Sequence, residues 1–428
     1  MRYHDVSRRE AIKIASAMML PCWAGMSQTQ GATSFPPTRT ITGGPKHHWF
    51  GYYDKLEFDP TDQYVLSNEV AFEHRTPTRA DVIGVGMVDT QDNDKWISLG
   101  KSHAWGWQQG CMLQWRPHSK SEVVWNDREG DRHVCRVMDI TTRKSRTLPR
   151  PIYTLSGDGR WAITTDFSRV QRMRAGYGYV GLTDPCADQR APETSGVWRL
   201  DMDSGESELI FSLADAARIK YQGESLSEKW NYFNHLLISP DSSRFIVLHR
   251  WRNDTGDAQN PQPKGRFTTR MFTVAMDGSD RYILDPSGNT SHFIWRDPQH
   301  ICAWTRPTGQ PAGFYLFKDQ TGKFESVGDG VMTQNGHNTY IPKTDNQWIL
   351  NDTYPSQEKR EQVPYLFHVP SGKRVDLGAF HSPPNYSGEW RCDTHPRTSN
   401  DGKTVAIDSP HSGGGRQIHL IDISKIVG

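Results

Sequence analysis

Between Phe50 and Ile421 the sequence repeats one outline, and no other feature constrains the fold as tightly. Each unit spans roughly 45 to 60 residues, the period of a propeller blade or a similar array. It opens on a short strand, turns, and continues through strands of β-branched and aromatic residues before leaving by a polar hairpin. The first unit carries Phe50 to Tyr53 and Tyr64 to Ser67, and the second Cys111 to Trp115 and Val137 to Ile140. Later ones are marked by Trp161 to Ile163, Phe245 to Leu248, Ile301 to Trp304, Trp348 to Leu350 and Val405 to Ile407. A unit this small cannot bury both faces of its own sheet, so neighbours must stack, and a closed ring leaves the fewest bare edges. The expectation is an all-β chain folded as a seven-bladed β-propeller. Composition agrees: 35% hydrophobic residues with 37 Gly and 15 Trp suit short strands and many turns, not a helical bundle.

A histidine recurs in one register of this repeat. In Asn234-His235-Leu236-Leu237-Ile238-Ser239-Pro240-Asp241 it precedes a strand and a Ser-Pro-Asp turn, and His292, His337 and His395 hold the same place in later units. The first strand of a propeller blade lines the central channel, so four side chains in this register converge on the axis. The second strands run back toward the same face and end on polar residues: Asn68, Asn126, Asp127, Asp166, His249, Asp352 and Asp408. Histidines beside carboxylates point to a divalent metal, and imidazole ligands suit Zn or Mn better than Ca. His292, His337 and His395 are the candidate ligands, with Cys392 a fourth that would favour zinc. The competing reading is a set of structural tethers between blades.

The loops on this face point to an anionic sugar. After Asp166 come Arg169, Arg172 and Arg174, then Tyr177 and Tyr179 flanked by glycines. Guanidinium groups pair with carboxylate or sulfate, and tyrosine stacks or moves a proton. A second long loop, from Arg250 to Arg266, would form another wall. His103-Ala104-Trp105-Gly106-Trp107 offers aromatic platforms or plain inter-blade packing. Arg172, Arg174, Asn126, Tyr232 and His249 are the candidate substrate contacts. His235, Tyr177, Tyr179 and His103 are the candidate proton-transfer groups.

The charge balance, 50 Lys+Arg against 49 Asp+Glu, excludes a polyanion-wrapping basic protein, so no nucleic-acid partner is expected. The six cysteines form no CxxC pair, which excludes a zinc ribbon and a small disulfide scaffold. Ser7-Arg8-Arg9 followed by the apolar run Ile14 to Ala24 reads as a twin-arginine-type export signal, too short for a stable membrane span. Residues 25 to about 44 are rich in Gly, Thr, Ser and Pro and read as a linker. The expected division is a signal and linker over 1–34 and a propeller over 35–428, forming a monomer in the periplasm or secreted.

The axial histidines on a propeller resemble the oligogalacturonate lyases, and the Arg/Tyr loop with the aromatic lead into the second unit resembles the seven-bladed ulvan lyases. The resemblance covers most of the chain beyond the signal at the level of blade pattern, through short motifs. It implies β-elimination on a uronate-containing polysaccharide, ulvan-like or oligogalacturonate. His235 would be the base, His292, His337 and His395 would hold the metal, and Arg172 or Arg174 would neutralise the uronate. One departure is visible: Arg397 stands where the oligogalacturonate family has a second histidine after the one matched by His395. The alternatives are a glycoside hydrolase, whose flanking carboxylates would come from Asp166, Asp352 and Asp408, and a non-catalytic sugar-binding propeller.

Overall fold

A computed structural model describes residues 35–252 and 266–428. The signal segment and most of the loop between Arg250 and Arg266 lie outside the described residues. The described chain forms seven four-stranded antiparallel sheets and a small two-stranded ribbon, with three short helices. The blades occupy residues 47–102, 114–148, 154–212, 230–288, 293–327, 339–376 and 397–422 in turn. This is the seven-bladed β-propeller expected from the repeat. No described helix is long and apolar enough to cross a membrane.

Two details depart from the sequence reading. The seventh blade takes its outer strand from the other end of the chain. Thr38–Thr40 pairs antiparallel with the last strand, Thr38 opposite Ile421 and Thr40 opposite His419. Residues expected to be linker therefore close the ring, because the edge of Gln417–Asp422 would otherwise be left bare. In the first blade, the axial strand is His47–Trp49, and Phe50 to Tyr53 have left the ladder. They begin an arm, residues 50–57, that reaches across the ring.

Packing between blades is aromatic near the first of them. Trp49, Trp105 and Trp107 form a mutual cluster with centroids 5.1 to 5.8 Å apart. All three are buried, and the Arg416 guanidinium lies 4.3 Å over Trp107. Trp105 and Trp107 are thus inter-blade core and not sugar platforms. The polar residues that end the second strands act as a collar. Asn126 donates to Ile152 O and accepts from Ile152 N, while Asp408 accepts from the Phe50 and Gly51 amides. Each links one blade to the next, and losing such a buried partner costs about 1–3 kcal/mol.

Candidate functional site

The site forms where the arm meets the axial histidines. Gly51 has φ +126, and a Cβ there would lie 2.8 Å from the Gln109 carbonyl carbon, so the arm can leave the strand only at glycine. Tyr52 then stacks on His235, with centroids 5.0 Å apart at 20°, and contacts His395 at 5.1 Å. Tyr53 packs on His337 at 5.3 Å, and its hydroxyl both donates to Phe293 O at 2.8 Å and accepts from Phe293 N at 3.0 Å. The arm of the first blade is thereby fastened to the fifth. Sequence reading missed both tyrosines because Phe50 to Tyr53 looked like a continuing strand.

His235 lies within the long strand Trp230–Ile238, where the register shifts between Asn234 and Leu236. It is the extra residue of a bulge, at φ 53, and so turns out of the ladder toward the axis. A left-handed non-glycine residue is disfavoured by about 1–3 kcal/mol, which the surrounding structure must offset. Its amide donates to Tyr153 Oη at 3.1 Å. Its Nδ1 lies 3.4 Å from Tyr153 Oη and 3.5 Å from Gln109 Nε2, and its Nε2 lies 3.5 Å from Tyr52 Oη. Those separations are at the limit of hydrogen bonding, so packing holds the ring and neither nitrogen is saturated. Burial, reinforced by Arg250 and Arg174, keeps its pKa well below the ordinary value, and the imidazole is neutral.

The loop after Asp166 divides its residues between core and site. Asp166 caps the helix Phe167–Met173 by accepting from the Ser168 and Arg169 amides. The chain turns back through Gly176 and Gly178; a Cβ on Gly178 would stand 2.2 Å from Phe167 O. Tyr179 consequently stacks on Phe167 at 4.2 Å and hydrogen-bonds Asn126, both as core. Tyr177 faces the axis, its ring 5.6 Å from His235. Arg391 Nη2 donates to its phenol oxygen at 2.5 Å, and the Arg174 guanidinium lies 3.8 Å over its ring. Burial pushes the phenol pKa up, but Arg174 and Arg391 outweigh it and the net shift is downward.

Cations gather beside this pair. Arg174, Arg250 and Arg252 surround the Phe267 ring at 4.7 to 5.5 Å. Arg250 is buried, its Nη1 and that of Arg174 have no hydrogen-bond partner, and neither residue has an acidic partner among the described residues. Burial, with Arg174 nearby, brings the Arg250 guanidinium down to about 10. Tyr232 lies next to Phe267, with a buried hydroxyl that also lacks a partner among the described residues. Groups with this much unmet hydrogen-bonding capacity fit an anionic ligand.

The nitrogen and oxygen ligand atoms of His337, Asp393 and His395 lie within 4.8 Å of one another. His337 Nδ1 is 2.9 Å from Asp352, leaving Nε2 for an ion in the usual carboxylate–histidine–metal order. His395 Nε2 is buried without a partner, 4.0 Å from Asp393. The His292 ring lies 4.2 Å from that of His337, with Nδ1 bound to Asn335. Two imidazoles, a carboxylate and a third imidazole alongside fit a divalent transition metal. Cys392, expected as a thiolate ligand, is outside this group, whose third member is Asp393, and burial pushes its thiol pKa up.

The remaining sequence candidates are engaged with other protein groups. His103 is paired with Asp127 at 3.2 Å on the rim of blades one and two, with no contact to the axial histidines. His249 is fixed between Asn231 and Arg270. Arg172 lies 3.6 Å from Asp184 and stacks on Trp230. The carboxylates that a hydrolase would need are committed: Asp166 to the helix cap, Asp352 to His337 and Thr394, and Asp408 to Arg397 and the arm. Arg391, Asp393 and the arm were not found from sequence, and Arg250 was named only as the start of a loop wall. Their positions become visible only when distant blades are brought to one axis.

No family model matches the chain, and neither does any curated protein. Solved structures do resemble it. An oligogalacturonate lyase from Vibrio parahaemolyticus superposes with TM-score 0.63 at 14% identity, covering 94% of this chain and 96% of its own. An oligogalacturonate lyase in complex with manganese gives 0.64 at 13%, covering 92% and 95%. The tricorn protease gives 0.50 at 10% identity, over 90% of this chain and 35% of its own. The shared property is the propeller, which hosts unrelated chemistries.

Proposed function

We propose that this protein is a polysaccharide lyase that cleaves a uronate-containing chain by β-elimination. The observation that carries this reading is the placement of Arg174 and Arg250, which have no acidic partner among the described residues, beside the neutral His235 and Tyr177, whose phenol pKa is lowered. Elimination needs the uronate carboxylate neutralised so that the C5 proton becomes acidic, and the two guanidinium groups supply that charge. His235 takes the C5 proton. Its pKa is held down partly by those same arginines, so an incoming carboxylate relieves the repulsion and raises its proton affinity when substrate is bound. Tyr177 donates a proton to the leaving glycosidic oxygen as the C4–O bond breaks, and Arg391 and Arg174 stabilise the phenolate left behind.

His337, Asp393 and His395, with His292 alongside, would hold a divalent ion such as Mn or Zn. When bound, that ion adds positive charge on the same face as the substrate carboxylate. Without Cys392 the particular case for zinc lapses. An ulvan-like substrate is favoured by the Arg/Tyr loop, and an oligogalacturonate by the solved lyases that share the fold. The segment Ser7 to Ala24 makes the protein an exported one in this proposal.

The test is ultraviolet absorbance of the unsaturated product on ulvan, oligogalacturonate, alginate and glycosaminoglycans. Growth of the signal on one of them, reduced about 10²–10⁴-fold by His235→Ala, supports the proposal. New reducing ends without unsaturation, or no turnover on any substrate, count against it.

A further inference from the structure

The arm that presents Tyr52 and Tyr53 is tied at both ends to one side chain. At its start, the Phe50 and Gly51 amides donate to Asp408 at 3.1 and 3.2 Å. Asp408 in turn accepts from Arg397 Nη2 at 3.0 Å. At its end, Glu57 accepts from Arg397 Nε at 2.8 Å and from Nη2 at 2.9 Å. The third nitrogen of the same guanidinium donates to the backbone carbonyls of His395 at 2.5 Å and Thr394 at 3.2 Å. His395 sits at φ 38, a strained conformation that these bonds help to hold. Arg397, Glu57 and Asp408 are all buried.

We propose that Arg397 is a positioning residue for the axial site, joining the neck of the arm to the His395 backbone so that Tyr52 stays stacked on His235. The guanidinium fork is what makes this possible. Its donors diverge in one plane toward two carboxylates and two carbonyls, and a lysine ammonium at the same place cannot reach all four. Arg397 touches neither the reacting groups nor the atoms that would bind an ion, so its effect must pass through the arm and the backbone.

The test compares wild type, Arg397→Lys, Tyr52→Ala and the double variant. Amide exchange over residues 50–57 is expected to rise about tenfold in Arg397→Lys while exchange in the strands of the third blade is unchanged. Unchanged exchange in the arm overturns the proposal. The kinetic arm rests on the lyase reading: kcat should fall about tenfold with KM within about twofold. The double variant should match Tyr52→Ala within about twofold, since both changes remove one function; multiplicative losses overturn the proposal. If Arg397→Lys does not fold, Glu57→Gln carries the exchange measurement, with faster arm exchange expected and none overturning it. A wild-type protein without lyase activity would sink the function but leave the exchange result decisive.

Discussion

Arg391 Nη2 and the phenol oxygen of Tyr177 lie 2.5 Å apart, and the same guanidinium holds Asp393 at 2.7 Å through Nε. One side chain therefore links the low-pKa tyrosine to the group that would hold a metal.

Removing that cation should raise the Tyr177 pKa. A tyrosine acting as acid fails once it is deprotonated, so activity is lost as pH rises through its pKa. Arg391→Ala should move this alkaline limb to higher pH and lower kcat roughly tenfold. The pH–rate profile, with phenolate absorbance followed in parallel, checks both. Movement of the acid limb instead would make Tyr177 the base.

Metal content should follow the geometry and not the cysteine. His337→Ala, Asp393→Ala and His395→Ala should lose bound metal, whereas Cys392→Ser should retain it. Asp352→Asn, which loosens the hold on His337, should weaken affinity about 10–100-fold. Elemental analysis and metal titration decide. Equal content in all variants would remove the axial site.

Ring closure by Thr38–Thr40 has a cost that can be measured. Deleting residues through Thr40 removes three paired residues at the edge of the last blade. The expected loss is about 1–3 kcal/mol, read as a lower midpoint in urea unfolding. An unchanged midpoint would mean the strand contributes no closure energy.

Glu57 should make stability fall with rising pH. Burial raises its pKa from 4.5 to about 7 despite Arg397. Desolvation of the buried carboxylate is the main cause, and the nearby Asp408 charge adds to it. The folded state thus binds a proton more tightly than the unfolded chain, and the stabilisation is present below about 4.5 and lost as pH passes about 7. Denaturant unfolding from pH 5 to 8 should show this slope in wild type and less of it in Glu57→Gln. A steeper slope in the variant would reverse the assignment.

The meeting of the axial histidines was legible in the chain. His235, His292, His337 and His395 share a register, and a ring brings one register to one axis, so their convergence followed from the repeat. Tyr177 and Tyr179 show where such reading stops. They are two residues apart and chemically identical, yet the turn through Gly176 and Gly178 sends one to His235 and the other beneath Phe167. Cys392 and Asp393 are neighbours, and only the backbone path decides which one faces His395.

By itself, then, the sequence determined the seven-bladed ring and the axial histidines, because hydrophobic repetition and strand alternation are local properties that stacking merely sums. The tertiary structure alone decided the partners: Tyr52 against His235, Arg391 between Tyr177 and Asp393, and Arg397 between Glu57 and Asp408. Those pairs join residues as much as 340 positions apart. Their geometry depends on how the arm crosses the axis and where a bulge turns a side chain out of its strand. Local pattern carries no record of either.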